Sequence, residues 1–182
     1  MKSFVMVQNV LSVIVMILFG VLFGLAMMPS YFLFLEIGEI TNGESDFVEA
    51  AGVCISLGLG YILWGVVLLL ICGTMGGIFR IRKEEGRYPL RSFITIQWGF
   101  SLVSHRVAQM FLGLVIPSFL ATMYYRMMGA RIGSGVQLNS VRINDASMIT
   151  IGDEVVVGGD ATINGHLVES GEIVLAPVRI GD

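Results

Sequence analysis

An aliphatic residue returns every six positions in the stretch Ile151-Gly-Asp-Glu-Val-Val-Val157-Gly-Gly-Asp-Ala-Thr-Ile163. That spacing fits neither the 3.6-residue period of a helix nor the two-residue period of a flat strand. It indicates a short strand, a corner and then a new face, and three such faces close one triangular coil of a β-helix. Gly152, Gly158 and Gly159 follow the inward aliphatic residues, where glycine accepts the positive φ that a tight corner demands.

The same pattern extends in both directions with small slips in register. Upstream, Ile132-Gly133 opens it, and it continues through Val136, Leu138, Val141, Ile143 and Ile149. Downstream, Ile180-Gly181-Asp182 repeats Ile151-Gly152-Asp153. The segment Asn164–Gly171 is predicted to be a loop that leaves its corner. Only about three coils are expected, so the β-helix is predicted to be incomplete, either because the chain is a fragment or because another chain completes the stack.

Four motifs give this half of the chain a resemblance to known proteins: Met128-Gly-Ala-Arg-Ile-Gly133, Ile151-Gly-Asp153, Gly165-His-Leu-Val-Glu169 and Pro177-Val-Arg-Ile-Gly181. At these residues the chain resembles the hexapeptide-repeat acyltransferases, whose left-handed parallel β-helix is built from [Leu/Ile/Val]-Gly-x4 units. It is also similar to the membrane-embedded β-helix domain that ends poly-lysine-synthetase-type nonribosomal peptide synthetases. There, a segment like Gly86-Arg-Tyr-Pro-Leu-Arg-Ser92 precedes each β-helix unit. The resemblance covers roughly residues 86–182 and implies a left-handed parallel β-helix over residues 129–182. The apolar composition predicts a helical membrane domain over residues 1–128.

The resemblance also implies a chemistry. Hexapeptide acyltransferases use a histidine as general base, which takes the proton from an acceptor as it attacks an acyl thioester. His166 is the only histidine in the β-helix region, and Asn164, Asp160 and Glu169 are candidates to orient it. A CoA-type acyl donor and a homotrimer, with the donor bound between neighbouring β-helices, follow from the same resemblance. The alternative is a solvated or backbone-bonded loop histidine with no catalytic role.

The composition is that of a membrane protein. Hydrophobic residues make up 55% of the chain, charged residues 14%, and the mean hydropathy is +0.82. Two uncharged stretches, predicted to span at about residues 4–35 and 50–79, exceed the roughly 20 residues that cross a bilayer. A secretory signal peptide is the competing interpretation of the first stretch, which is longer than the usual apolar core of such a peptide. Cys54 and Cys72 lie in the second stretch and are interpreted as small apolar residues.

Charge in the two connecting loops predicts the orientation of the hairpin. The first loop is acidic, with Glu36, Glu39, Glu44, Asp46 and Glu49, whereas residues 80–91 carry five basic residues. Basic loops stay in the cytosol. We therefore expect a multi-pass protein of the plasma membrane with its β-helix on the cytoplasmic side.

The stretch over residues 92–126 is ambiguous, because His105-Arg106 interrupts its apolar run. We expect a re-entrant or interfacial helical pair on the cytoplasmic leaflet, with a third span as the alternative. Trp98, Tyr124 and Tyr125 are predicted to lie at headgroup depth. His105-Arg106 would then reach water or lipid phosphate, or merely snorkel.

Several function classes lack support in the sequence. The chain has no Walker loop, nucleophile elbow or basic tract for nucleic acid, and its two histidines lie in separate segments that do not indicate a metal site. The sequence predicts a membrane-anchored acyltransferase-like protein that moves an acyl group from a CoA-type thioester to a lipid-linked, envelope or peptide acceptor. The alternative is a noncatalytic scaffold or assembly module of a nonribosomal peptide synthetase-like or envelope-biosynthesis complex.

Overall fold

The structure is a computed structural model that describes residues 2–80 and 85–181, with the side chains of residues 9, 12–80 and 85–181. It divides into two compact units, Met1–Ile71 and Cys72–Asp182, so the predicted domain boundary after Met128 falls inside the second unit. Residues 81–84 of the predicted basic loop, and Asp182 of the last repeat, lie outside the described residues.

Two long helices dominate the first half of the chain, α1 over Lys2–Thr41 and α2 over Asp46–Ile78. Pro29 lies inside α1, and the helix continues past it to Thr41. Ser12–Thr41 and Asp46–Ile78 are long and apolar enough to cross a membrane. The prediction of two apolar helices is therefore confirmed by length and composition.

Two glycines of α2 lie against α1. A Cβ on Gly60 would stand 3.5 Å from the Cβ of Ser30, and one on Gly52 would stand 2.8 Å from Thr41 Cγ2. Ser30 donates its hydroxyl proton to the Gly60 carbonyl at 2.7 Å. Gly58, by contrast, meets nothing within 4 Å. Small residues therefore bring the helices together at two points of the hairpin.

A helical pair, α3 over Phe93–Val115 and α4 over Phe119–Met127, follows in the second unit. Ser92 and Ser118 cap the two helices by accepting the amide protons of Thr95 and Leu120. His105-Arg106 does not interrupt α3, and the helices separate instead around Pro117, whose ring cannot continue a helix. Within the described ranges only α1 and α2 qualify as candidate spans, so α3 does not.

The end of α4 packs closely on the last turns of α2, within the second unit. A Cβ on Gly77 would lie 2.5 Å from the Met127 carbonyl oxygen, and one on Gly73 would lie 3.2 Å from Met127 Cβ. The Met127 carbonyl oxygen belongs to the backbone, so it cannot move aside as the end of a flexible side chain can. Glycine at these positions is therefore what lets α4 approach α2.

Two aromatic residues of α4, Tyr124 and Tyr125, are buried in protein, whereas the sequence analysis expected their side chains at a lipid headgroup surface. Both tyrosines are fully buried, and His105 is 3% exposed. His105 Nε2 lies 3.1 Å from both the Val141 carbonyl oxygen and Gln109 Nε2, and His105 Nδ1 lies 3.0 Å from the Tyr124 hydroxyl. Gln109 donates to the same carbonyl at 2.9 Å. These contacts join the helical pair to the first turn of the repeat, residues 132–150, which we call the first coil. His105 is therefore surrounded by protein.

The described residues form eight short strands, one before the helical pair and seven after it. They are β1 (Gly86–Pro89), β2 (Arg131–Ile132), β3 (Gln137–Leu138), β4 (Ile149–Ile151), β5 (Val156–Val157), β6 (His166–Glu169), β7 (Glu172–Leu175) and β8 (Val178–Ile180), with a 3-10 turn at Ala146–Met148. β2, β4 and β8 form one parallel sheet, and β3 pairs with β5 in parallel. An isolated parallel bridge joins Ile143 to Ile163.

The three parallel ladders align the aliphatic residues that the sequence predicts to point inward. Ile132 pairs with Ile151, and Ile151 pairs with Ile180. Leu138 pairs with Val157. Paired residues of the first two turns are therefore 19 residues apart in both ladders, and the spacing is longer between Ile151 and Ile180. The buried members of the rows include Leu138, Ile143, Ile151 and Val157. The six-residue repeat therefore marks the residues that stack.

Close approach of backbone to backbone explains the glycine at position 133. Gly152, Gly158 and Gly159 are not among the residues with positive φ, whereas Glu154 and Asp160 are. A Cβ on Gly133 would lie 2.7 Å from the Gly152 carbonyl carbon in the next turn. A Cβ on Gly158 would meet nothing within 4 Å, and Gly181 has φ of 80°. Stacking of one corner on another therefore requires glycine at position 133 but not at every corner.

The predicted loop at Asn164–Gly171 is mostly a hairpin. β6 and β7 pair antiparallel around a turn at Ser170-Gly171, where both residues have positive φ, and β1 adds to the other edge of β7. Arg87 of β1 and Glu169 of β6 form an ion pair at 2.6 Å. The segment before α3 therefore supplies β1, a strand that the six-residue repeat does not predict.

Acidification is expected to destabilise the second unit through His105. Burial lowers the pKa of His105 from 6.5 to about 4. The unfolded chain therefore binds more protons between pH 6.5 and 4, and the free energy of unfolding falls as the pH falls through that window, by about 3 kcal/mol at pH 4. Chemical unfolding in detergent, followed by near-UV circular dichroism, measures the slope.

The variant His105→Gln is the matched comparison, because it keeps the carboxylates that also titrate at low pH. Its stability should be lower at pH 7 but should fall less steeply between pH 6.5 and 4. Equal slopes in the two proteins would show that His105 is not buried in its neutral form.

Candidate functional site

His166 opens β6, and two other segments bring polar groups to it. Asp145 precedes the 3-10 turn with φ of 58°, a left-handed conformation that aspartate tolerates better than most residues. Trp98 lies in the second turn of α3. A residue from a helix, one from the first coil and one from the hairpin therefore meet at a single point.

The carboxylate of Asp145 is the centre of this site. Its side chain is 3% exposed, and its Oδ2 lies 2.5 Å from His166 Nδ1. Oδ2 also accepts the amide proton of Gly165 at 2.9 Å, and Oδ1 accepts the indole proton of Trp98 at 2.9 Å. A buried carboxylate is tolerated when donors satisfy its oxygens, and here three donors do so.

Trp98 also contacts the imidazole directly. The two ring centroids are 4.9 Å apart with an interplanar angle of 62°, an edge-to-face arrangement. The indole thus fixes the carboxylate through its N–H and limits rotation of the imidazole through its ring. Trp98 was predicted at headgroup depth, but its side chain is partly buried against the protein.

Gly165 is the residue that allows the hairpin to start so close to Asp145. A Cβ at this position would stand 2.9 Å from Met148 Cβ and 3.2 Å from Asp145 Cβ. Any larger residue would push the strand away and lengthen the bond between His166 and Asp145. The local sequence Gly165-His166 therefore sets the geometry of the pair.

The pair has the form of a base and its orienting group. When Nδ1–H donates to the carboxylate, the lone pair of Nε2 is directed away from Asp145. The His166 side chain is 20% exposed, and no residue in the described part of the chain hydrogen bonds to Nε2. Such an imidazole can take a proton from a nucleophile and stabilise the resulting charge through Asp145.

The sequence analysis named three other residues as candidates to orient His166, and none of them does so. The side-chain amide oxygen of Asn164 accepts a hydrogen bond from the side-chain amide nitrogen of Asn144 at 2.7 Å. Glu169 pairs with Arg87, and Asp160 lies 3.6 Å from Arg142. The sequence analysis did not name Asp145, although the repeat contains a signal for it. Ile143 stacks on Ile163, and the same spacing along the chain places Asp145 beside Gly165.

Comparison with known proteins gives one informative likeness. No family model matches the chain, and no solved structure matches it. A Delta-poly-L-ornithine synthetase from Acinetobacter baumannii is 27% identical over 140 residues, which cover 77% of this chain and 10% of that protein. The chain spans about a tenth of the length of the curated relative it matches. The likeness is to a synthetase of a poly-amino acid, the class that the sequence motifs indicated.

The structure predicts the tautomer of His166. This histidine should carry its proton on Nδ1, which faces the carboxylate of Asp145. Two-bond ¹⁵N–¹H spectra of histidine-labelled protein distinguish the two forms, and His105→Gln assigns the signals. Asp145→Ala should shift His166 towards the Nε2–H form, which predominates for imidazole in water.

Asp160→Ala is the control, since it removes an exposed carboxylate that does not contact His166. Asp160→Ala should leave the Nδ1–H form of His166 unchanged. A wild-type His166 protonated on Nε2 would contradict the assignment of Asp145 as its orienting group.

Proposed function

We propose that this chain is a membrane-anchored acyl-transfer module of a nonribosomal peptide synthetase-like system, with His166 as general base. The observation that carries the proposal is the hydrogen bond of 2.5 Å between His166 Nδ1 and the buried carboxylate of Asp145. The likeness to a poly-ornithine synthetase and the two long apolar helices support a membrane-associated, biosynthetic setting.

The proposed reaction moves an acyl group from a CoA-type thioester to a nucleophilic acceptor. Nε2 of His166 takes the proton of the acceptor as the acceptor attacks the thioester carbonyl. Asp145 stabilises the imidazolium that forms. Collapse of the tetrahedral intermediate breaks the bond from carbon to sulfur, and His166 returns its proton to the departing thiolate. Trp98 acts as a positioning residue through its contacts with both members of the pair.

Among lipid-linked, envelope and peptide acceptors, we favour an acceptor that presents an amine. The relative is named as a synthetase of poly-ornithine, whose assembly requires amide bonds between amino acids. An amine attacks in its neutral form and loses a further proton as the amide bond forms, and a general base beside it accepts that proton.

The proposal includes the finer identity of the coil. The parallel ladders, the return distance of 19 residues and the Ile-Gly corners support a left-handed hexapeptide-repeat β-helix over residues 129–182. We propose that further coils or a homotrimer complete this β-helix, and that the acyl donor binds between neighbouring copies.

A noncatalytic assembly module is the second candidate function. The chain aligns with a tenth of the relative's length, as a segment of a larger synthetase would, and such a segment could dock or anchor a biosynthetic complex. In that case the pair of His166 and Asp145 would serve only to fix the hairpin.

Acyl transfer should depend on the pair. Purified protein in nanodiscs is supplied with labelled acyl-CoA and with amine, peptide or lipid-extract acceptors, and labelled product is measured. His166→Ala should lower the rate by about 10²- to 10⁴-fold, the range that a general base contributes. Asp145→Ala should also lower it, and the loss should be smaller because Nε2 remains available.

Asp160→Ala serves as the matched variant and should retain wild-type activity, and circular dichroism confirms that each variant is folded. Transfer that is unchanged in His166→Ala would refute the catalytic assignment. Stable co-purification with a larger synthetase, together with no acyl-CoA binding by calorimetry, would favour the assembly module.

We further propose that the pair faces the cytosol of a multi-pass plasma-membrane protein, where acyl-CoA is found. In a background with Cys54 and Cys72 replaced, Ser170→Cys should resist a membrane-impermeant maleimide in intact cells and react after lysis. Ser45→Cys, in the acidic loop between α1 and α2, should react before lysis. Both serines are exposed in the structure, so burial does not limit their labelling. Labelling of Ser170→Cys in intact cells would place the pair outside and refute a reaction with cytosolic acyl-CoA.

A further inference from the structure

Two arginines and a threonine lie side by side on the first parallel sheet. Arg131 of β2 pairs with Thr150 of β4, and Thr150 pairs with Arg179 of β8. Their neighbours Ile132, Ile151 and Ile180 form the inward aliphatic row of the same strands, and successive side chains of a strand point to opposite faces. Arg131 and Arg179 are exposed, so both guanidinium groups belong to the outer face.

This alignment concentrates positive charge in an acidic part of the chain. Residues 129–182 contain three arginines and seven acidic residues. Arg142 lies 3.6 Å from Asp160, whereas no carboxylate of the described residues lies within ion-pairing distance of Arg131 or Arg179. Neighbouring strands are about 4.8 Å apart, so the backbones of the two arginines are separated by roughly 10 Å. Like charges at that spacing repel, and a bound anion would relieve the repulsion.

The three side chains also line two adjoining hollows. One, of about 200 Å³, is lined by Arg131, Ser147, Met148, Thr150, Pro177 and Arg179. The other, of about 350 Å³, is lined by Arg131, Thr150, Gly152, Arg179, Ile180 and Gly181. The arginines and the threonine are common to both. Hydrogen-bond donors thus surround a space that is large enough for a small anion and part of the molecule that carries it.

We propose that Arg131, Thr150 and Arg179 form a binding site for a phosphate group. Guanidinium forks donate paired hydrogen bonds to phosphate oxygens, and the threonine hydroxyl supplies a donor between them. A planar carboxylate is satisfied by one fork, whereas a tetrahedral phosphate presents oxygens to two forks from opposite sides. The phosphate belongs either to a soluble phosphate ester or to a lipid headgroup. The three residues of the site are distinct from the pair of His166 and Asp145, and the proposal does not require acyl transfer.

Calorimetry on the full chain in phosphatidylcholine nanodiscs tests the site, with pyrophosphate as the probe. Wild-type protein should bind pyrophosphate, and Arg131→Gln or Arg179→Gln should weaken binding at least tenfold. Thr150→Val should weaken it several-fold, since it keeps the shape and removes the hydroxyl. Arg142→Gln is the matched control, an exposed arginine of the same coil, and it should bind as wild type does.

A second measurement separates the two sources of phosphate. Phosphatidylglycerol is introduced into the nanodisc bilayer and the pyrophosphate titration is repeated at the same ionic strength. Weaker pyrophosphate binding that depends on Arg131 identifies a lipid headgroup as the occupant, whereas unchanged binding identifies a soluble phosphate ester. The proposal is overturned if wild-type protein binds pyrophosphate in neither bilayer, or if Arg142→Gln weakens binding as much as Arg131→Gln.

Discussion

The buried carboxylate of Asp145 is the contact on which the arrangement of the second unit depends. Its three donors come from α3 and from the start of the hairpin, while Asp145 itself belongs to the first coil. An ionised carboxylate that is buried without such donors costs several kcal/mol, so the coil can bury Asp145 only when both other segments are in place. The same contacts hold His166 in one orientation, which joins the stability of this region to its candidate chemistry.

Regular stacking of the coil provides the second constraint. Gly133 lies directly against the backbone of the following turn, and the inward aliphatic residues fall into rows. Once the turns are stacked, residues far apart in sequence become neighbours, and no additional contact is needed to bring them together. Asp145 meets Gly165 in this way at one corner, and Arg131 meets Thr150 on one face. A single packing rule therefore generates both the proposed base and the proposed phosphate site.

The helical pair joins the end of α2 to the coil within the second unit. The end of α4 rests on the last turns of α2, and His105 and Gln109 contact the Val141 carbonyl oxygen, while Tyr124 is hydrogen bonded to His105. The last turns of α2, the helical pair and the coil are therefore packed together in one unit.

The sequence by itself determined the features that depend on local periodicity. Apolar length predicted two long helices, the six-residue repeat predicted which aliphatic residues stack, and the single histidine of the repeat singled out His166. Tertiary structure decided what those signals do not contain. Tyr124, Tyr125 and His105 are buried because α4 packs on protein, the segment after Asn164 is a hairpin because β1 pairs with it, and Asp145 orients His166 because one turn stacks on the next. A periodic pattern records which face of a segment is apolar, whereas the partner of that face depends on which segments meet.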